Sequence, residues 1–318
     1  MRHALVALAL AALHFAQANA ADFPSRPISL VVPFAAGGGT DSLARDLAVR
    51  LQEKLGQPVV VENRGGAGGA IGAEFVARAR PDGHTLLFVT STFVTHAASE
   101  EHLPYDVQAD FAPIALLGRG PMLLVAADAT GWNTPKDLIE AVRRAPGTIA
   151  YCSAGPGSIN HMAAELFAQS AKLSMIHVPY KGNGPAIADV LAGRVQIFFT
   201  TVPTILGQVK ARRVRLLAVT GRERSSLFPD TPTIAESGLP EYAVYTWWGI
   251  VAPAGTNADL VRTLNKAIND ASPALGRRLV DEGGMPRQGP PEDLAATIGE
   301  ELKGWRELVK RAGLKLSR

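Results

Sequence analysis

The apolar positions of the chain fall into two alternating rhythms. PISLVVPF (27–34) is a nearly continuous apolar run rich in β-branched residues, the pattern of a strand buried on both faces. The small-residue loop AAGGGTD follows. In SLARDLAVRLQEKLG, Leu43, Leu47 and Leu51 recur four apart and predict a helix that stops at Gly56. The unit then repeats, with PVVVEN (58–63) as strand, RGGAGGAIG as a second glycine loop, AEFVARARPDG as helix and HTLLFVTST (84–92) as a third strand. Further on, TIAYCSAG (148–155), MIHVPY (175–180), VQIFFTT and VRLLAVTG (214–221) predict strands, with helices INHMAAELFAQSA and AIADVLAGR among them. YTWWGIVAP (245–253) predicts a last strand, and Leu294, Ile298, Leu302, Trp305 and Val309 form the apolar stripe of an exposed C-terminal helix. Alternation at this spacing predicts an α/β fold of parallel sheets covered by helices on both faces. Segments 101–121 and 225–247 carry Pro, Gly and turn residues and predict two crossovers. A first domain, 21–122 plus 249–318, would then receive a second, 123–248, as an insertion.

Composition narrows the class. A length of 318 residues suits two domains, and 47% apolar with 19% charged residues excludes disorder. Basic residues number 32 against 29 acidic, with no dense Lys/Arg cluster, so no nucleic-acid footprint is present. Cys152 is the single cysteine, which excludes an intramolecular disulfide and a cysteine-built zinc site. Residues 1–20 combine a basic start at Arg2 and His3, the apolar run 4–13 and the A-x-A sequence Ala18-Asn19-Ala20. That order predicts a cleavable export signal, a mature chain from Ala21 and a periplasmic location in a Gram-negative cell.

The chemistry on offer lies in the loops. In a parallel sheet the loops leaving the strand C-termini share one edge, where helix N-termini present unpaired N–H groups. Ala35–Asp41, Ser153–Ser158 and Lys181–Pro185 are such loops, and the hydroxyls of Thr40, Ser153 and Ser158 add donors. One such loop is no more than a tight turn; three together suit a small anion. Asp41 would compete for the same amides and reads as a structural cap that fixes its loop. His161, in a first helical turn, is expected as a neutral ring donating one hydrogen bond, and Tyr180 and Lys181 stand at a strand end within reach of a ligand. Of Trp247 and Trp248, one is expected in the core and the other along a cleft. Enzymatic motifs fail: there is no GxxxxGK[ST], GxSxG or HExxH, and the G-x-G-x-x-x-G at 66–72 lacks the acid that would hold a ribose. Cys152 lies in an apolar strand as an inert thiol. No catalytic residue, cofactor or metal is expected.

These segments resemble a known family. PFAAGGGTD (33–41), ENRGGAGGAIGA (62–73), AGPGSINHMAAELF (154–167) and VPYKGNGPAIADVLAGRVQ (178–196) are similar, in this order, to motifs of the tripartite tricarboxylate transporter substrate-binding receptors, the Bug family. The resemblance implies a two-domain periplasmic-binding-protein (Venus flytrap) fold, with mixed, mostly parallel sheets and hinge crossovers. It implies a non-catalytic, monomeric receptor for a small carboxylate-type ligand, delivered to the membrane permease subunits of a transporter. Ligand contacts are implied for Phe34, Ala35, Gly37, Gly38 and Asp41, for Thr90 and Ser91, and for Ser153, Gly157, Ser158 and His161, partly through backbone amides and ordered waters. Tyr180 and Thr200 complete the expected ligand-facing set. Thr200 and Thr201 stand where many relatives carry an acid, which disfavours an amino-acid ligand and leaves carboxylates, amides and aromatic acids open. Two other readings stay open: an exported α/β enzyme acting at the same cleft, and a receptor feeding a sensor system.

Overall fold

The computed structural model describes residues 23–100, 102–281 and 283–312, so the export signal read at 1–20 lies outside the described residues. Strand β1 (Ile28–Val32) leads through its glycine loop into helix α1 (Gly39–Leu55), which ends on Gly56 in the left-handed region. Then come β2 (Val59–Asn63), α2 (Ala70–Ala77), β3 (Thr85–Thr90) and α3 (Thr92–Ser99). The central block holds β4 (Phe111–Ala127), α4 (Pro135–Arg144), β5 (Ala150–Ser153), α5 (Ile159–Ala171) and β6 (Ile176–Pro179). It continues with α6 (Asn183–Leu191), β7 (Ile197–Thr201), α7 (Val202–Lys210) and β8 (Val214–Val219). The described chain closes with β9 (Tyr245–Pro253), α8 (Ala258–Asp281), the short β10 (Met285–Pro286) and α9 (Pro291–Ala312).

The strands run in the order β2-β1-β3-β9-β4-β7-β5-β6, with β8 and β10 also paired to β4. One wing is built on β2, β1, β3 and β9, the other on β7, β5, β6 and β8. Strand β4 belongs to both: Phe111–Pro121 runs along β9, and Met122–Ala127 runs along β7 and β8. The expectation of mostly parallel sheets needs correcting at the centre. β1 pairs in parallel with β2 and β3, and β5 with β6 and β7, but every pair made by β4 or β9 is antiparallel. These two strands carry the chain between the wings and are not parts of βαβ units, so nothing obliges them to run parallel.

The crossover expected at 101–121 is likewise a regular strand from Phe111 onward. Its proline and glycine signals belong to irregularities inside the strand. Register shifts between Pro113 and Ala115, and between Leu116 and Gly118, absorb the missing proline donor. Gly118 is required because another backbone passes over it: a Cβ there would lie 2.9 Å from the Met285 carbonyl oxygen. Helix α3 carries no periodic stripe long enough to mark it, whereas α4, which the sequence reading passed over, sets Leu138, Ile139 and Val142 on one face. The start of α4 also has a local signal, a capping box of Thr134 and Asp137 with Pro135 in the first turn.

Alternation along the strands separates the two faces of each wing. Leu30, Phe88 and Ile250 pack with α1 and α8, whereas Val31, Leu87 and Val251 pack with α2, α3 and α9. In the second wing Leu124 and Phe199 pack with α4 and α5, and Leu123 and Phe198 with α6 and α7. The stripe on α9 is the buried face of a helix whose other positions are mostly exposed. Leu294, Ile298 and Leu302 are buried in the first wing, and Trp305 packs at its margin. Because the carbonyl above Gly118 is backbone and cannot swing aside, Gly118→Val is expected to cost about 1–3 kcal/mol. The check is the midpoint of urea unfolding, and an unchanged midpoint would contradict this close approach.

Candidate functional site

The wings meet at the C-terminal ends of β1, β3, β5 and β7, and a narrow cleft lies between them. It is walled by strand ends and helix starts. Gly38, Thr40 and Asp41 come from the start of α1, Thr92 from α3, Ile159 and Asn160 from α5, Asn183 from α6, and Thr201 from the cap of α7. Five helices (α1, α3, α5, α6 and α7) thus direct their N-termini at one space, and each N-terminus carries roughly half a unit of positive charge. No lysine, arginine or histidine lines the cleft among the described residues. Phe34 and Trp248 supply the apolar wall.

The wings are in contact through hydrogen bonds that cross the cleft. Ala35 N donates to the Lys181 carbonyl at 3.3 Å, and Gly39 N donates to Thr204 Oγ1 at 3.2 Å. Thr95 Oγ1 donates to the Gly157 carbonyl at 2.7 Å, and Ile159 N donates to Thr92 Oγ1 at 3.1 Å. Glycine makes this approach possible, since a Cβ on Gly39 would lie 2.7 Å from Thr204 Oγ1.

Asp41 is the one ionisable side chain of the cleft wall among the described residues, and it is already engaged. It is not the helix cap, a position held by Gly38, but a first-turn acceptor. Gly37 N donates to it at 3.1 Å, Asn63 Nδ2 at 2.9 Å, and Arg45 through Nε at 3.1 Å and a second nitrogen at 3.0 Å. Burial alone would raise its pKa. The Arg45, Gly37 and Asn63 donors outweigh burial and hold the carboxyl below its usual range. The loop is fixed, and no lone pair of Asp41 is left unserved.

Of the other expected ligand-facing residues, Phe34, Ala35, Gly38 and Thr90 line the cleft with Asp41. Gly37 shapes the same loop through its bond to Asp41. The rest sit elsewhere. Ser91 is fully buried and accepts from Trp247 N at 2.9 Å. Ser158 caps α5, accepting from His161 N at 3.4 Å. Tyr180 bonds Asp189 and borders a separate groove with Gly68 and Pro156. Thr200 shares the face of Phe198 beneath α6 and α7, and its neighbour Thr201 is the one that reaches the cleft.

Ser153, Gly157 and His161 belong to a buried cluster behind the cleft wall. His161 stacks on His177 with ring centroids 3.9 Å apart, and Tyr151 stacks on His177 at 5.0 Å. Ser153 Oγ lies 2.6 Å from His177 Nε2. The His161 ring accepts at Nδ1 from Gly157 N at 3.2 Å, where a donating ring was expected. Burial, then the neighbouring His177, push the His161 pKa down to about 3, and burial pushes His177 down to about 4. Both rings are neutral, and burial does what the helix dipole was expected to do.

Sequence reasoning passed over Thr92, Asn160, Asn183 and Thr246 as cleft-lining positions. The first three follow a strand end by a few residues and could have been found from helix-start position alone. Thr246 follows from alternation on β9. Thr246 and Trp248 face the cleft, while Trp247 faces away and donates from Nε1 to Glu301 at 2.8 Å. The tryptophan expected along a cleft is therefore Trp248. Asn183 Oδ1 and Thr246 Oγ1 are buried without a hydrogen-bond partner. A wider, more open groove lies between α5 and α9, but Glu241 and Glu300 line it and would repel an anion.

A two-winged α/β protein with helix N-termini converging on a cleft between the wings is the frame of a solute-binding protein. Residues 43–314 match the family described as the tripartite tricarboxylate transporter family receptor, and the chain belongs to that family. It is similar to the periplasmic binding protein BugD, with 35% identity, a TM-score of 0.88, and 92% of this chain and 99% of that one covered. It is similar to Rpa4515 of R. palustris, solved with adipate, at 34% identity and a TM-score of 0.88, covering 92% and 98% of the two chains. It is also similar to MatC of Rhodopseudomonas palustris, solved with bound malate, at 34% identity and a TM-score of 0.86, covering 90% and 100%. The protein is thus a solute-binding receptor and not an enzyme.

The histidine cluster makes a testable contribution to stability. The unfolded chain takes up protons near pH 6.5, whereas His161 and His177 resist them down to about 3 and 4, so stability is lost as pH falls through that window. In His177→Gln the loss of Tm between pH 7 and pH 4.5 is expected to be smaller than in the parent chain. Equal slopes would show that the cluster does not carry this linkage.

Proposed function

We propose that this receptor is exported by the signal at residues 1–20, captures a small carboxylate in the cleft and hands it to the membrane subunits of a tripartite tricarboxylate-type transporter. On this reading the wings are two domains, 21–122 plus 249–318 and 123–248, and they close about β4 and β9. Closure brings the N-termini of the two domains around one anion and presents a surface that differs from the open form. The observation that carries the proposal is the convergence of five helix N-termini on a cleft that no basic side chain lines among the described residues. Backbone amides and helix dipoles there can replace the water shell of a carboxylate. The adipate and malate bound by the two R. palustris relatives support that ligand class for this chain.

Thermal unfolding against small carboxylates and their primary amides tests it. A bound acid at 100 times its Kd stabilises the folded state by about 2.7 kcal/mol. At least one acid is expected to raise Tm while its amide does not. Equal shifts for acid and amide, or no shift by any acid, would contradict an anion site. Closure is tested separately. Gly39→Val would place side-chain carbons against Thr204, and is expected to weaken binding at least about tenfold with unchanged circular dichroism. Undiminished affinity would mean that the α1 and α7 starts need not meet when ligand binds.

A further inference from the structure

Helix α3 buries a face that its sequence does not equip for a core. Thr92, Thr95, His96 and Ser99, spaced as one side of a helix, are all buried, while Phe93 and Val94 pack into the first wing. What covers the polar face comes from the opposite wing, the loop before α5 and the first residue of that helix. Thr95 Oγ1 donates to the Gly157 carbonyl, and Thr92 Oγ1 accepts from Ile159 N. A Cβ on Gly157 would lie 2.6 Å from Ser99 Oγ and 2.7 Å from His96 Cδ2, so both side chains press on that backbone. The turn at 67–69 closes over the same ring edge. A Cβ on Gly68 would lie 2.5 Å from His96 Cδ2 and 2.6 Å from the Pro156 carbonyl oxygen. Ser99 Oγ donates to the His96 carbonyl at 3.0 Å, so three of the four side chains have partners. The His96 ring makes no hydrogen bond or ion pair among the described residues, and its Nδ1 is buried. Either orientation of the ring leaves a nitrogen inside this enclosure.

We infer that His96 makes closure of the wings proton-sensitive: the seam closes on a neutral ring, and acidification drives the wings apart and releases the ligand. This rests on the receptor reading, in which the wings open and close around a carboxylate. An imidazolium has two N–H donors and a charge, and burying it without acceptor or counter-ion is unfavourable. The charged and titratable groups around α3 supply neither. β3 and the 67–69 turn carry none. Glu74 of α2 lies by Tyr105, Glu301 of α9 is bonded to Trp247, and Glu300 faces the groove beside α5. Glu165 of α5 serves Tyr151, and His161 is a neutral acceptor for Gly157 N. Glu100, which follows α3, makes no ion pair among the described residues, and burial raises its pKa. The last turn of a helix favours a cation, but burial outweighs that and holds His96 at about 4. Opening the seam returns the ring toward the ordinary value near 6.5. Above about 6.5 the ring is neutral in both forms. As pH falls from there toward 4, the open form takes up a proton that the closed form excludes, so affinity falls. Glu100 works in the opposite sense, because a carboxyl raised by burial is protonated more readily in the closed form.

Two readouts test the inference on the full mature chain, with succinate, malate, adipate and benzoate as probes. The acid that binds is titrated calorimetrically into the parent chain and into His96→Gln at pH 7.5 and pH 5.5. Between these values Kd is expected to rise about tenfold more in the parent than in the variant, as a ring titrating near 6.5 open and near 4 closed requires. Protonation of the acid itself cancels, because both proteins meet the same acid. The second readout is the His96 ring signal in NMR, assigned through its bonds to the His96 backbone. Its midpoint is expected below about 5 with the acid at saturation and above about 6 without it. The same pH dependence of Kd in the two proteins would overturn the inference and leave the carboxylate reading standing. So would one ring midpoint with and without acid. Binding by none of the four acids at pH 7.5 would overturn the carboxylate reading and this inference with it. Should His96→Gln fail to fold, the ring midpoints in the parent chain decide alone.

Discussion

The unpaired amide at a helix start is the constraint on which this structure depends. Each strand-to-helix unit leaves N–H groups without intrahelical partners, and the topology brings five such starts to a single cleft. Among the described residues, no basic side chain lines that cleft to share the task of holding an anion. On the proposed reading, selectivity for negative charge resides in backbone position, which depends on how the wings are set against each other. Asp41 shows how tightly this is managed. A carboxylate in the first turn of α1 would compete with a ligand, yet its oxygens are turned to Gly37, Asn63 and Arg45, and it serves to hold the loop in shape.

The wings are joined by strands that do not behave like the rest of the sheet. β4 runs unbroken from Phe111 to Ala127 and changes partners at Pro121 and Met122, so one strand belongs to both halves. β9 lies beside it and presents Thr246 and Trp248 to the cleft and Trp247 to Glu301. Burial raises the Glu301 pKa to about 7 against the lowering effect of Trp247, Trp305 and Arg119, which shows how deeply this side of the strand is packed. A strand packed on one face and lining the cleft with the other gives the cleft a floor, while the glycine loops on either side supply the approach of backbone to backbone.

Much of this was legible in the residues. The four-residue spacing of Leu43, Leu47 and Leu51, the β-branched runs at 28–32 and 59–63, and the glycine loops that follow them give the α/β rhythm directly. The four family-like motifs give the architecture, and the loops among them border the cleft. Individual contacts were harder to read. Ser153, Ser158 and His161 sit in the right motif, but their side chains serve the α5 start and a buried histidine stack. Choosing between Thr200 and Thr201 requires knowing which face of β7 the cleft opens on, and the two faces are almost equally apolar. β4 escaped notice because Pro113, Gly118, Gly120 and Pro121 are breakers in isolation. Only the register shifts and the passing β10 backbone explain why a central strand contains them.

A crystal structure of the complex with the acid that stabilises the protein most is the most direct measurement. Cationless anion recognition predicts carboxylate oxygens within about 3 Å of backbone amides at the starts of α1, α5, α6 or α7. No lysine or arginine should be in contact with the bound acid. A carboxylate seated on a basic side chain, or bound in the groove between α5 and α9, would contradict it.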